Sequence, residues 1–172
     1  MGNGASVQTS QTADIEDLFE DTVFNETEIK RISMLNAENG TEAILATLLP
    51  MPLLPHILSW LADQARKENL SEGITIEQII YILDTLHPSQ LIENKRDLAW
   101  KLYDIDEDGY ITQSDLVGVL RYLLPSLPLS KYQVLARRAL SRFSEKRVAR
   151  RHFNKLVPDT QLLKIFTRPI LL

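Results

Sequence analysis

Apolar residues recur three and four apart through most of this chain, the spacing of a helix face. The first legible helix opens at Phe24-Asn25-Glu26-Thr27-Glu28-Ile29. Asn25 is placed to cap it, Glu28 to close a capping box three residues on, and Phe24 and Ile29 occupy the two staple positions. The pattern predicts a helix to about Asn36 with Ile29, Ile32 and Leu35 on its apolar face. Ala43 to Ala62 then runs without a charge, long enough to span a bilayer if it were one helix. Pro50, Pro52 and Pro55 interrupt it, each removing an amide donor and disfavouring helical geometry in the residue before it. The expectation is two buried helical pieces, Ile44–Leu49 and His56–Ala62, joined by a proline corner.

Laid over itself, the chain repeats at a spacing of 37 residues. A β-branched residue is followed five positions later by a large apolar one at Ile74/Ile79, Ile111/Leu116 and Val148/Phe153, with helical patterns on either side. An earlier copy fits at Ile44/Leu49 with a shorter spacing. The repeat predicts three or four helix–loop–helix units.

The third loop, Asp104-Ile105-Asp106-Glu107-Asp108-Gly109-Tyr110-Ile111-Thr112-Gln113-Ser114-Asp115, has the chemistry of the unit. Oxygen side chains stand at positions one, three and five, glycine at six, an apolar residue at eight and a carboxylate at twelve, the pattern of an EF-hand calcium loop. A hard cation needs six or seven close oxygens. Asp104, Asp106 and Asp108 are the first candidates, followed by the Tyr110 carbonyl, Thr112 directly or through water, and Asp115. Gly109 permits the bend, and Ile111 is expected to pair with its counterpart in a neighbouring loop. Asp115 stands where the longer Glu is usual, which favours one-oxygen ligation, weakens calcium and lets magnesium compete. Thr112 and Asp115 also form a capping box for an exit helix with Leu116, Val119, Leu120 and Leu123 inward, stopped by Pro125.

The other copies lack the ligands. The second, Lys67 to Gln78, has Lys67 at position one and Glu72 where glycine belongs; the last, Ser141 to His152, carries Arg142, Lys146, Arg147, Arg150 and Arg151; the first, around Asn36–Glu42, is too short. One metal site is expected, and the basic last loop is expected to lie near the metal-loop carboxylates and offset their repulsion.

Composition narrows the classes. With 44% hydrophobic and 24% charged residues in 172, the chain is globular. Without cysteine it has no disulfide, thiolate zinc site, iron–sulfur cluster or cysteine nucleophile. The net charge of −4 conceals a sequence dipole: residues 1–130 hold 8 Lys/Arg against 21 Asp/Glu, residues 131–172 hold 11 against 2. An acidic partner or anionic membrane surface suits the basic end. Nucleic acid is not expected, because Phe143 and Phe153, the aromatics in the basic stretch Arg137–Lys155, fit the helical core pattern. His56, His87 and His152 form no nucleophile or metal pattern; His56 reads as a corner residue and His152 as a helix-surface one. There is no phosphate-cradling glycine loop, and an enzyme is not expected. Met1-Gly2-Asn3-Gly4-Ala5-Ser6 matches the N-myristoylation pattern, making Gly2 a lipidation candidate. One acyl chain anchors only marginally, so the location expected is cytoplasmic with peripheral membrane association. In that compartment the sequons at Asn25, Asn39 and Asn69 stay unglycosylated.

Met1–Ser6, Glu28-Ile29-Lys30-Arg31-Ile32 and Trp100-Lys101-Leu102-Tyr103 with the loop as far as Ile111 together resemble the calcineurin B-like superfamily of EF-hand proteins, which includes the calcineurin-homologous and the calcium- and integrin-binding groups. The resemblance implies an all-α EF-hand fold: two lobes of paired helix–loop–helix units with short β contacts between loops. Their apolar groove holds an amphipathic helix of a partner, either a serine/threonine phosphatase catalytic subunit or, in the calcium- and integrin-binding group, the tail of a membrane protein. Asp115 and the ending Pro158-Asp159 … Lys164-Ile165-Phe166 resemble the latter group. With three methionines the groove is built from Leu and Ile, which suits one dedicated partner. The expected organisation is a flexible N-terminus 1–23, an N-terminal lobe 24–90, a C-terminal lobe 91–157 and a tail 158–172.

Overall fold

The computed structural model describes residues 22–49, 51–67 and 73–167. These residues are all-α apart from one two-stranded contact. Helix α1 (Glu26–Asn39) begins as expected, with the Asn25 side chain accepting from the Glu28 amide and the Glu28 carboxylate accepting from the Asn25 amide. It continues past Asn36 to Asn39, where Gly40 at φ +80 turns the chain directly into α2 (Thr41–Leu48). This corrects the earliest repeat: Ile44 lies inside α2, not in a loop before a helix. A break follows, and α3 (Leu54–Lys67) carries Pro55 in its first turn, where a missing amide costs no helical bond. The uncharged run is therefore two helices, and no helix among the described residues is long and apolar enough to cross a membrane.

Thr75 and Gln78 form a second capping box at the start of α4 (Ile76–Leu86). Between α4 and α5 (Ile92–Tyr103) the chain turns over a fully buried lysine, Lys95, whose Nζ donates to the Thr85 and His87 carbonyls at 2.8 and 2.6 Å. Burial lowers the pKa of this ammonium, and nearby Asp84 opposes the shift. Asp84 also receives the Val23 amide at 2.7 Å and so pins the segment entering α1.

After the loop comes α6 (Gln113–Leu123), ending before Pro125, then α7 (Leu129–Leu140), a 3-10 turn (Arg150–His152), α8 (Phe153–Leu156) and α9 (Asp159–Phe166). Strand β1 (Tyr110–Ile111) pairs antiparallel with β2 (Val148–Ala149), setting Ile111 opposite Val148, the two residues the 37-residue repeat places in register. Phe153 is buried edge-on to both Trp100 and Tyr103, at 5.6 and 5.5 Å. The segment after Val157 is not a bare tail: α9 packs on α5 and buries Leu162 and Phe166 completely. One apolar cluster joins Phe24 in the first unit to Phe166 in the last helix.

Candidate metal centre

The loop is held at both ends by buried structure. At its entry, Leu102 and Tyr103 are in the core, and the Asp104 amide completes the last turn of α5 by donating to the Trp100 carbonyl. Burial pushes the Tyr103 hydroxyl up to about 12. At its exit, Asp115 Oδ2 accepts from the Thr112 amide at 2.8 Å and the Thr112 hydroxyl at 2.6 Å, closing the capping box of α6. Between them the aspartates fold the chain on itself. Asp104 Oδ2 accepts from the Gly109 amide, Asp106 Oδ1 from Asp108 and Asp108 Oδ1 from Tyr110. Gly109 stands at φ +86 with open space around it, so backbone conformation and not crowding demands glycine there.

The structure brings Asp104, Asp106 and Asp108 together, each offering a carboxylate oxygen within 4.8 Å of the others. No other group of three or more His, Asp or Glu residues does so among the described residues. Asp104 is buried, and its Oδ1 meets no hydrogen-bond donor there. Burial raises its pKa, repulsion from Asp108, Asp115 and Asp106 adds to the rise, and the Gly109 amide opposes it. A buried anionic oxygen without a donor, facing two further carboxylates, is costly unless a cation compensates. Three hard oxygen donors suit calcium or magnesium. Asp115 and Thr112 are engaged with each other, and Asp115 is not among the three clustered carboxylates; Tyr110 is half-buried in β1. Gly2 lies outside the described residues, as do Asn69 and Pro50.

The charges around the loop differ from expectation. Glu107, at position four, points outward to α3, where Lys67 Nζ lies 2.5 Å and Gln64 Nε2 3.1 Å away. The bond from Lys67 holds the Glu107 carboxyl below its ordinary range, and Gln64 assists. In the sequence Lys67 is visible only as a lost ligand of the second loop. The last loop contributes less neutralisation than expected. Arg150 pairs with Asp97, Arg142 donates to the Leu156 carbonyl, and Arg147 bonds Glu145 while its guanidinium lies 3.9 Å over the Tyr110 ring. Arg147 also feels the Asp108 charge, but none of these arginines makes an ion pair with the three aspartates. Arg147 is engaged by Tyr110 and Glu145, Arg150 by Asp97 of α5, and Arg142 by the Leu156 carbonyl.

The last loop shares one backbone feature with the intact one, while the positive φ of Glu107, +57, is not repeated at Ser144. Lys146, 37 residues after Gly109, also has positive φ, +51. His56, read as a corner residue, is instead in the core in the first turn of α3, stacked on Tyr122 and donating from Nε2 to the Leu102 carbonyl at 2.5 Å. Burial lowers its pKa against the opposing effect of that carbonyl. His152 is half-buried in the 3-10 turn and not on a helix surface.

No family model matches the chain. Among curated proteins it is similar to the type 2 calcineurin B chain of Dictyostelium discoideum, 29% identical over 143 residues covering 76% of this chain and 74% of that one. It is also similar to the calcineurin B chain of Naegleria gruberi, 27% identical over 131 residues covering 70% and 71%. Its helix–loop–helix units joined through a short strand pair make an all-α EF-hand fold, and over most of its length the chain is similar to calcineurin B chains.

Proposed function

We propose that this chain is a divalent-cation-binding regulatory or scaffolding subunit that holds an amphipathic helix of a serine/threonine phosphatase catalytic subunit. It carries one ion, calcium with magnesium competing, on Asp104, Asp106, Asp108, the Tyr110 carbonyl, Thr112 and Asp115. The observation that carries the metal reading is the buried, donorless Asp104 Oδ1 beside two further carboxylates. The partner reading is supported by the calcineurin B relatives. The units group as lobes 24–90 and 91–157, and the chain binds its partner without catalysing a reaction. Gly2 carries a myristoyl group and, with the basic C-terminal region, associates peripherally with anionic membrane; intact-mass measurement of protein from its native cell tests this.

Asp115 in place of a longer Glu favours one second reading, an adaptor on the cytoplasmic tail of a membrane protein. Co-purification separates the two. A phosphatase catalytic chain retained in stoichiometric amount supports the first, and a membrane-protein tail in its place overturns it.

A further inference from the structure

The last hand lacks cation ligands, and Lys146 stands in the left-handed region where the intact loop has Gly109. Beside it lies a cleft of about 410 Å³, lined by Tyr110, Phe143, Arg142, Arg147, Arg151 and Lys155. That volume falls in the range of small-ligand sites. Glu145 is the one acid on its wall, and Arg147 already holds it. Arg142, Arg151 and Lys155 have no acidic partner among the described residues. Arg151 and Lys155 stand four apart through the 3-10 turn and α8, where like charges repel.

Two arginines are pre-positioned. The Arg147 guanidinium is held by Glu145 and the Tyr110 ring, and Arg142 by the Leu156 carbonyl and the Phe143 ring at 5.6 Å. Guanidinium groups fixed in this way lose less freedom when they take up an oxyanion. Ser144 and His152, also on the wall, add hydrogen-bonding groups. We infer that this cleft is an anion site for a small, multiply charged phosphate ester, so that the fourth hand has exchanged a cation loop for an anion loop. The inference rests on this hand alone and stands or falls independently of the phosphatase partner. A free metabolite and a lipid headgroup present the same phosphate ester chemistry to these side chains.

The test is calorimetric titration of the full-length chain with inositol trisphosphate. Binding is expected, and it should weaken at least about tenfold in the double variant Arg151→Gln/Lys155→Gln, since each charge-assisted contact to phosphate is worth that much or more. Arg137→Gln/Arg138→Gln, on exposed positions of α7 outside the cleft, should bind like the parent. No binding, or equal loss in both double variants, overturns the site in favour of a diffuse positive field. Arg142→Gln gives a second reading from a different element, and unchanged heat unfolding shows that the exposed substitutions leave the fold intact. Phosphatidylcholine vesicles carrying phosphatidylinositol bisphosphate then distinguish the sources. Cleft-dependent capture assigns the headgroup, and trisphosphate binding without capture assigns the soluble ester. Equal capture by phosphatidylserine vesicles of the same surface charge, insensitive to the cleft variants, overturns the inference.

Discussion

Lys67 Nζ lies 2.5 Å from Glu107 Oε1, joining the last turn of α3 to the fourth position of the aspartate loop. The position that in an intact second loop would face a cation has become a cation itself, aimed at the neighbouring unit. Both side chains are about half exposed, so the pair contributes at most about 1 kcal/mol to stability. Its positive charge near the loop opposes a second cation. Lys67→Ala should therefore leave heat unfolding nearly unchanged and tighten calcium by about a few fold, as calorimetry at low salt would measure. A weaker calcium affinity in that variant would show that the contact orders the loop.

Asp104 has the opposite sign of linkage to a salt-bridged carboxylate. Its pKa is raised in the folded state, so ionised Asp104 destabilises the metal-free protein at neutral pH. That penalty is relieved as pH falls through the raised value toward the unfolded-state pKa near ~3.9. Proton and metal compete there, so calcium affinity falls over the same window. Asp104→Asn keeps an acceptor for the Gly109 amide and removes the charge. In chelator it should melt higher than the parent, and calcium should no longer shift its midpoint.

For the parent, calorimetry should count one divalent-ion site, and Asp115→Glu should tighten calcium by restoring a two-oxygen ligand. The loop is held by its own hydrogen bonds and by the β1–β2 pairing. Metal should accordingly raise the unfolding temperature while apolar-dye binding and helical circular dichroism barely change. A large calcium-dependent rise in dye binding would indicate a conformational switch.

Gly109 and Lys146 occupy the same position of the 37-residue repeat and are both left-handed, at different cost. Gly109→Ala should destabilise by about 1–2 kcal/mol in urea unfolding, since φ +86 is strained for any Cβ however open the space. Lys146→Gly should stabilise by up to about 1 kcal/mol, the relief of left-handed strain being partly offset by extra unfolded-chain entropy.

Lys95→Met should cost about 2–4 kcal/mol, because it removes the ammonium donor from the Thr85 carbonyl and leaves the His87 carbonyl only the Gln90 amide. In the parent, the lowered pKa of Lys95 makes its charge a burden at neutral pH. That burden lifts as pH rises through the lowered folded value toward the unfolded one near ~10.4. Thermal unfolding across alkaline pH, compared between parent and variant, checks both signs.

Features that are local or periodic were legible in the chain alone. Asn25 with Glu28 and Thr112 with Asp115 specify helix starts because a cap needs only residues three apart. The pairing of Ile111 with Val148 could be read because duplicated units keep their register, and the three clustered aspartates because one loop supplies them all. Packing settled whatever depends on which surfaces meet. Nothing local marks Lys95 as buried before the turn after α4 closes over it, and His56 reads as a corner residue until Tyr122 stacks on it. Gly40 was too small a signal to show that the first unit has a one-residue turn in place of a loop. Nothing local says that Lys67 reaches Glu107, or that Arg150 takes Asp97 and leaves the loop aspartates unpaired. A long charged side chain can serve several partners, and packing of the helices that carry it selects one.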